Sequence, residues 1–142
     1  NIPLIVGGMA SRTIEIATKF GDQWNGYYLE HDKLKEKLDL IRIFEEKFDR
    51  SIKKTIMIPF VIEDSNKNIS NHLSNCNKVF SNLPKHIEEW QNLGFLGGNP
   101  QEIVEQIQKY KEMGIDHIIL EHLDIENDFS LNNLKENVLT HV

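Results

Sequence analysis

The chain has 142 residues, 22 of them acidic and 16 basic, for a formal net charge of -6. Hydrophobic residues make up 39% and charged residues 27%, the balance of one ordinary globular domain with a workable core. The acidic balance argues against nucleic acid or an anionic membrane as the main partner, and no run approaches the ~18 apolar residues of a membrane span.

Residues 2–6 (Ile-Pro-Leu-Ile-Val) form a continuous apolar run, the pattern of a strand buried on both faces. Gly7 and Gly8 follow, and a helix begins at once behind them, with Ser11 as its expected cap. Ile14, Ala17 and Phe20 give that helix an apolar face, and Gly21 ends it. Residues 22–28 read as a short second strand with its exit loop. Asp32 opens a longer helix with Leu34, Leu38, Ile41, Phe44 and Phe48 at helical spacing. Residues 54–62 read as a third strand, in which Pro59 suggests a bulge. The asparagine-rich stretch 64–82 reads as a weak helix with loops, and 84–92 as a helix anchored by Ile87 and Trp90. Residues 93–98 read as a glycine-rich connection.

Asn99-Pro100-Gln101-Glu102 is a strong helix start, with Asn99 as cap, Pro100 in the first turn and Glu102 closing a capping box. Ile103, Ile107 and Tyr110 line one face before Gly114 stops the helix. Residues 116–121 read as a fourth buried strand, and 130–142 as a closing amphipathic helix. Alternating strands and helices of this kind argue for a parallel α/β sheet. Asn1 stands where an initiator methionine would, which reads as a piece of a longer chain. The lone Cys76 excludes an internal disulfide and suits a reducing, cytoplasmic setting.

Chemistry concentrates at the glycine turn. Gly7 and Gly8 let backbone approach a ligand, and the free N–H groups behind them favour a phosphate. Ser11 and Thr13 add hydroxyls and Arg12 adds charge. On its own this turn is balanced between an anion site and a plain structural turn. It lacks both the lysine of a Walker loop and the spaced glycines of a dinucleotide fingerprint. No histidine and carboxylate pair falls at a convincing metal spacing. Trp24 reads equally as core packing or as a pocket wall, Trp90 as core, and Cys76 as structural. Glu121 and His122 are expected in solvent-facing roles near a strand end.

Gly7, Gly8, Arg12, Thr13, Gly21, Asp22, Trp24 and Asn25, together with residues 98–104 and 114–120, resemble the bacterial luciferase-like monooxygenase family over nearly the whole chain. The resemblance implies the C-terminal half, strands five to eight, of a (β/α)8 TIM barrel that binds FMN or the deazaflavin coenzyme F420. Its function would be that of a flavin-dependent oxidoreductase or monooxygenase. It further implies that Gly7, Gly8, Met9, Ala10, Ser11 and Thr13 hold the cofactor phosphate, and that Trp24 and Asn25 flank the ring or substrate pocket. A small-molecule substrate and a homodimer of the full-length form are implied as well, and no catalytic residue is assigned on this chain. Two other readings stay open. One is a non-catalytic, self-associating half-barrel that binds flavin. The other is an unrelated phosphate-binding α/β domain with an open, doubly wound sheet.

Overall fold

The computed structural model describes residues 2–125 and 127–142. Its elements are β1 (Ile5–Gly7), α1 (Ser11–Phe20), β2 (Gln23–Tyr27), α2 (His31–Phe48), β3 (Lys53–Ile62), α3 (Asn66–Val79), α4 (Ile87–Asn92), β4 (Leu96–Gly98), α5 (Pro100–Glu112), β5 (His117–Glu121) and α6 (Asp128–Asn137). The α/β alternation expected from the sequence is present, with parallel strands. No helix among the described residues is long and apolar enough to cross a membrane. The chain divides into two compact units, Asn1–Met57 with Lys111–Ile119, and Ile58–Tyr110 with Leu120–Val142.

In the first unit β1, β2 and the first half of β3 run parallel, with Gly7 opposite Asn25 and Asn25 opposite Thr55. Ile14, Ala17, Trp24, Leu34, Ile41, Ile52 and Ile56 form its core. Arg50 ties the α1 exit to the α2 exit by donating to the carbonyls of Lys19 and Gly21. The start of β5 is held at Asp116, which accepts from the Lys54 N–H at 2.7 Å and donates its own N–H to the Lys54 carbonyl at 2.8 Å.

Two expectations fail here. β1 is not buried on both faces: Leu4 and Ile5 are more than half exposed, because β1 pairs with β2 alone among the described residues. The face of α1 is Ile14, Ala17 and Thr18 rather than Phe20, which is exposed. Thr18 tolerates burial because its hydroxyl donates back to the Ile14 carbonyl at 2.9 Å.

In the second unit the end of β3 pairs in parallel with β4, Phe60 opposite Leu96 and Ile62 opposite Gly98. The expected glycine-rich connection is thus a buried strand. Gly97 explains why: a Cβ there would lie 2.5 Å from Ile87 Cδ1 and 2.9 Å from Trp90 Cδ1, so α4 packs directly on strand backbone. Pro59 makes no bulge, because it falls between the β2 register, which ends at Met57, and the β4 register, which begins at Phe60. Its missing N–H therefore breaks no pair in the β2 or β4 register. The weak helix expected over 64–82 is a 14-residue helix, capped by the Ser65 hydroxyl accepting from the Asn68 N–H. β5 is partly exposed rather than a fully buried strand.

The capping box is as expected. Asn99 N–H donates to Glu102 Oε2 at 2.8 Å, and Glu102 N–H donates to Asn99 Oδ1 at 3.1 Å. Asn99→Ala removes one arm and is expected to lower stability by about 1 kcal/mol, measured as a denaturant midpoint.

Candidate functional site

The residues nominated as a phosphate site lie together in the first unit, at the C-terminal ends of β1 and β2. This is the end of a parallel α/β sheet at which ligands bind. Gly8 leaves the strand with φ of +136°, a conformation that side chains rarely adopt. A Cβ at this position would also lie 3.0 Å from Thr13 Cγ2, so the turn closes tightly over the first turn of α1. Two bonds pin it: Gly8 N–H donates to the Asn25 carbonyl at 3.0 Å, and Trp24 Nε1 donates to the Gly8 carbonyl at 2.8 Å.

Ala10, not Ser11, is the N-cap of α1, and no side chain caps it. Ser11 instead occupies the first helical position, because Ile14 N–H closes the first helical bond on the Ala10 carbonyl. The opening N–H groups of a helix have no intrahelical partner, and here neither a side-chain cap nor an acidic residue in the first turn competes for them. An anion is favoured there by hydrogen bonding and by the helix dipole.

Each nominated side chain has a defined place. Gly7, Ala10 and Ser11 are exposed, and Gly8, Met9 and Thr13 are half-buried. Trp24 is 0% exposed, so its place is beneath the turn, holding Gly8. Asn25 is half-buried, and its Oδ1 is a buried atom with no hydrogen-bond partner among the described residues. A buried acceptor without a donor costs free energy, and Asn25 lies opposite Gly7 in register. Arg12 turns away: its guanidinium pairs with Glu15 at 2.6 Å and its side chain is 79% exposed. Lys47 and Arg12 together hold the Glu15 carboxyl below its ordinary value.

The second unit holds a polar cluster that the sequence reading passed over. His72 of α3 is 2% exposed, Glu63 6% and Asp124 9%. His72 Nδ1 lies 3.2 Å from Glu63 Oε1, and His72 Nε2 lies 3.9 Å from Asp124 Oδ2. Asn127 Nδ2 donates to Glu63 Oε1 at 3.1 Å, and Asn75 Nδ2 donates to Asp124 Oδ2 at 3.2 Å. His122 is not solvent-facing as expected: it stacks on Phe60 at 5.4 Å, and its Nε2 lies 2.8 Å from Ser130 Oγ. One signal for His72 was present in the sequence. Ile69, His72, Leu73 and Cys76 recur at helical spacing, and all four are buried. Burial pushes the Cys76 thiol up to about 11, which keeps it protonated and unreactive at neutral pH.

Burial lowers the proton affinity of His72 and His122 below the ordinary value of 6.5, against the opposing pull of Asp124 on both, of Glu63 on His72 and of Asp128 on His122. The folded chain therefore binds fewer protons than the unfolded chain once the pH falls below 6.5. This contribution to stability is complete above that pH and is lost as the pH falls through the folded values. His72 alone would contribute a slope of up to about 1.4 kcal/mol per pH unit in that window. Urea midpoints followed from about pH 7.5 to about pH 5 are expected to fall, and His72→Gln is expected to flatten the decline.

No protein-family model matches the chain, and no curated protein matches it. Solved structures do. An F420-dependent secondary alcohol dehydrogenase, in complex with an F420-acetone adduct, superposes with a TM-score of 0.75 at 16% identity, over 97% of this chain and 48% of that one. A long-chain alkane monooxygenase gives 0.71 at 18% identity, over 96% of this chain and 39% of that one. A riboflavin lyase, solved with modified FMN and riboflavin, gives 0.69 at 14% identity, over 96% and 41%. The likeness establishes a shared fold, and this chain spans less than half the length of each of the three proteins.

Proposed function

We propose that this chain is the C-terminal half of a luciferase-like (β/α)8 barrel, and that the whole protein is an oxidoreductase using FMN or coenzyme F420. In this reading β1, β2, β3 and β5 are barrel strands five to eight, and the turn from Gly7 to Thr13 holds the cofactor phosphate. The observation that carries it is the Gly8 turn, closed over an uncapped, acid-free helix start and pinned from below by Trp24. The solved structures of the same fold add support, since their descriptions name F420 or FMN in two cases and a monooxygenase in the third.

The residues fit such a group. The Gly8 φ of +136° and the 3.0 Å approach to Thr13 leave room for backbone but not for a side chain. The N–H groups at the α1 start and the Ser11 and Thr13 hydroxyls are donors suited to phosphate oxygens. Asn25 Oδ1 is a buried acceptor that lacks a donor among the described residues, and an N–H edge of a flavin or deazaflavin ring would supply one. A reduced cofactor bound here would supply the electrons, as oxygen activation with FMN or as hydride transfer with F420. The chain's own part is to anchor the phosphate, fix the turn through Trp24, and present Asn25.

The test is a fluorescence titration of the full-length protein with FMN, coenzyme F420 and riboflavin. Thr13→Val keeps the β-branched shape against Gly8 and removes the hydroxyl. It is expected to weaken the phosphate-bearing cofactors by roughly 10- to 100-fold, the value of a hydrogen bond to a charged group, and to leave riboflavin unchanged. Equal losses for FMN and riboflavin would count against a phosphate role.

A second reading has its own support. Ile2, Leu4 and Ile5 are 85%, 59% and 58% exposed on or beside an edge strand, and open apolar edges favour association. A self-associating flavin-binding half-barrel would bury them between copies. Hydrogen exchange at several protein concentrations separates the two: protection of these residues that persists on dilution supports the barrel, and protection that is lost on dilution supports self-association.

A further inference from the structure

β2 carries a glycine, Gly26, in its interior, opposite Ile56 of β3. Glycine weakens a strand, because it has no side chain to pack and loses more chain entropy than other residues. Backbone conformation does not call for it here: Gly26 is buried and lacks the positive φ of Gly8. Space does. A Cβ on Gly26 would lie 2.5 Å from Trp24 Cη2, 2.6 Å from Trp24 Cζ2 and 3.0 Å from Met9 Sδ.

Two residues apart on one strand, Trp24 and Gly26 share a face of the sheet. The Trp24 ring runs along that face toward the C-terminal end of β2, with its benzo edge resting on the bare backbone of Gly26. In that pose its Nε1 reaches the Gly8 carbonyl at 2.8 Å. Met9 adds a second contact. It is half-buried, and its sulfur comes down over the same point of Gly26 as the ring edge, a favourable neighbour for an aromatic. What Met9 offers a phosphate is therefore its backbone N–H, while its side chain anchors the turn to the strand. Three successive residues of β2 thus hold the turn in different ways. Trp24 donates from its indole, Asn25 accepts the Gly8 N–H at 3.0 Å with its carbonyl, and Gly26 leaves the room that the ring and the thioether fill.

We propose that Gly26 is a positioning residue for the cofactor turn. By carrying no side chain it seats Trp24 and Met9, and through them it sets the Gly8 carbonyl and the N–H groups behind it in the geometry that receives a phosphate. The phosphate part of this proposal rests on the cofactor reading above; the positioning of the turn does not.

The experiment uses the full-length protein and two readouts. One is the affinity for FMN or coenzyme F420 against that for riboflavin, by fluorescence titration. The other, in protein without cofactor, is the set of amide resonances of Gly8 and residues 10–13. Gly26→Ala is expected to weaken the phosphate-bearing cofactor by at least about tenfold, with a much smaller loss for riboflavin, and to shift those resonances. Trp24→Phe removes the benzo edge that an alanine at 26 would strike. In that background Gly26→Ala is expected to change the cofactor affinity by less than about twofold, so the two substitutions are strongly non-additive. If Gly26→Ala fails to fold, Met9 decides the matter. Met9→Ala removes the thioether from its seat and is expected to weaken the phosphate-bearing cofactor more than riboflavin, and Met9→Leu, which restores the bulk, is expected to recover most of that loss. Unshifted resonances in Gly26→Ala, equal losses for the phosphate-bearing cofactor and riboflavin, an undiminished effect in the Trp24→Phe background, or no difference between Met9→Ala and Met9→Leu would overturn the proposal. A wild-type protein that binds neither FMN nor F420, while the resonances respond to Gly26→Ala as stated, would overturn the cofactor reading and leave the positioning of the turn by Gly26 standing.

Discussion

Gly8→Ala is expected to cost the full-length protein at least about tenfold in FMN or F420 affinity, with a much smaller loss for riboflavin. Two effects add. Alanine disfavours the φ of +136°, and backbone strain of this kind costs of order 1–3 kcal/mol. Its Cβ would also press on Thr13 Cγ2 at 3.0 Å, prising the turn off α1 at the point where the free N–H groups converge. Relaxing either clash moves the Gly8 carbonyl away from Trp24 and the N–H away from Asn25. The measurement is a pair of titrations plus a denaturant midpoint. Unchanged FMN affinity together with lowered stability would show that the turn is structural only.

Trp24 is expected to carry the largest stability effect in the first unit. It is 0% exposed, and its indole donates to the Gly8 carbonyl at 2.8 Å. Trp24→Ala removes both the packing and the hydrogen bond, with an expected loss of about 3–5 kcal/mol. Trp24→Phe keeps most of the ring volume and loses the donor, leaving the Gly8 carbonyl unpaired on that side, for a cost nearer 1–2 kcal/mol. The comparison separates packing from positioning. If Trp24 places the phosphate turn, Trp24→Phe also weakens FMN more than riboflavin. If it is core alone, the two cofactors lose equally.

These expectations rest on features of unequal visibility in the sequence. The α/β alternation was legible because each helix repeats its apolar residues at helical spacing and each long strand is a continuous apolar run. The capping box at Asn99 was legible because its chemistry is local, with donor and acceptor three residues apart. β4 was not legible. Leu96-Gly97-Gly98 has no periodicity, and it is a strand because Gly97 admits the side chains of Ile87 and Trp90, a tertiary fact. The exposure of β1 was hidden for a related reason: an apolar run reports what a strand could bury, not what lies beside it.

The site shows the same division. The glycine turn and Trp24-Asn25 were found from local pattern, and the structure sets them side by side through the Gly7–Asn25 register. The cluster at His72 was missed because its members come from the residue after β3, from α3 and from the segment before α6, with 61 positions between Glu63 and Asp124. Only the apolar neighbours of His72 on α3 hinted at it. A polar residue on a buried stripe deserves a search for distant partners, because burial without them would be costly.

The most direct test is the structure of the full-length protein with FMN or coenzyme F420 bound. The account predicts a phosphate oxygen within hydrogen-bonding distance of the N–H groups at the start of α1 and of the Thr13 hydroxyl, with Gly8 still held by Trp24 Nε1. A cofactor phosphate bound elsewhere, with the Gly7 to Thr13 turn making no contact to it, would contradict the account.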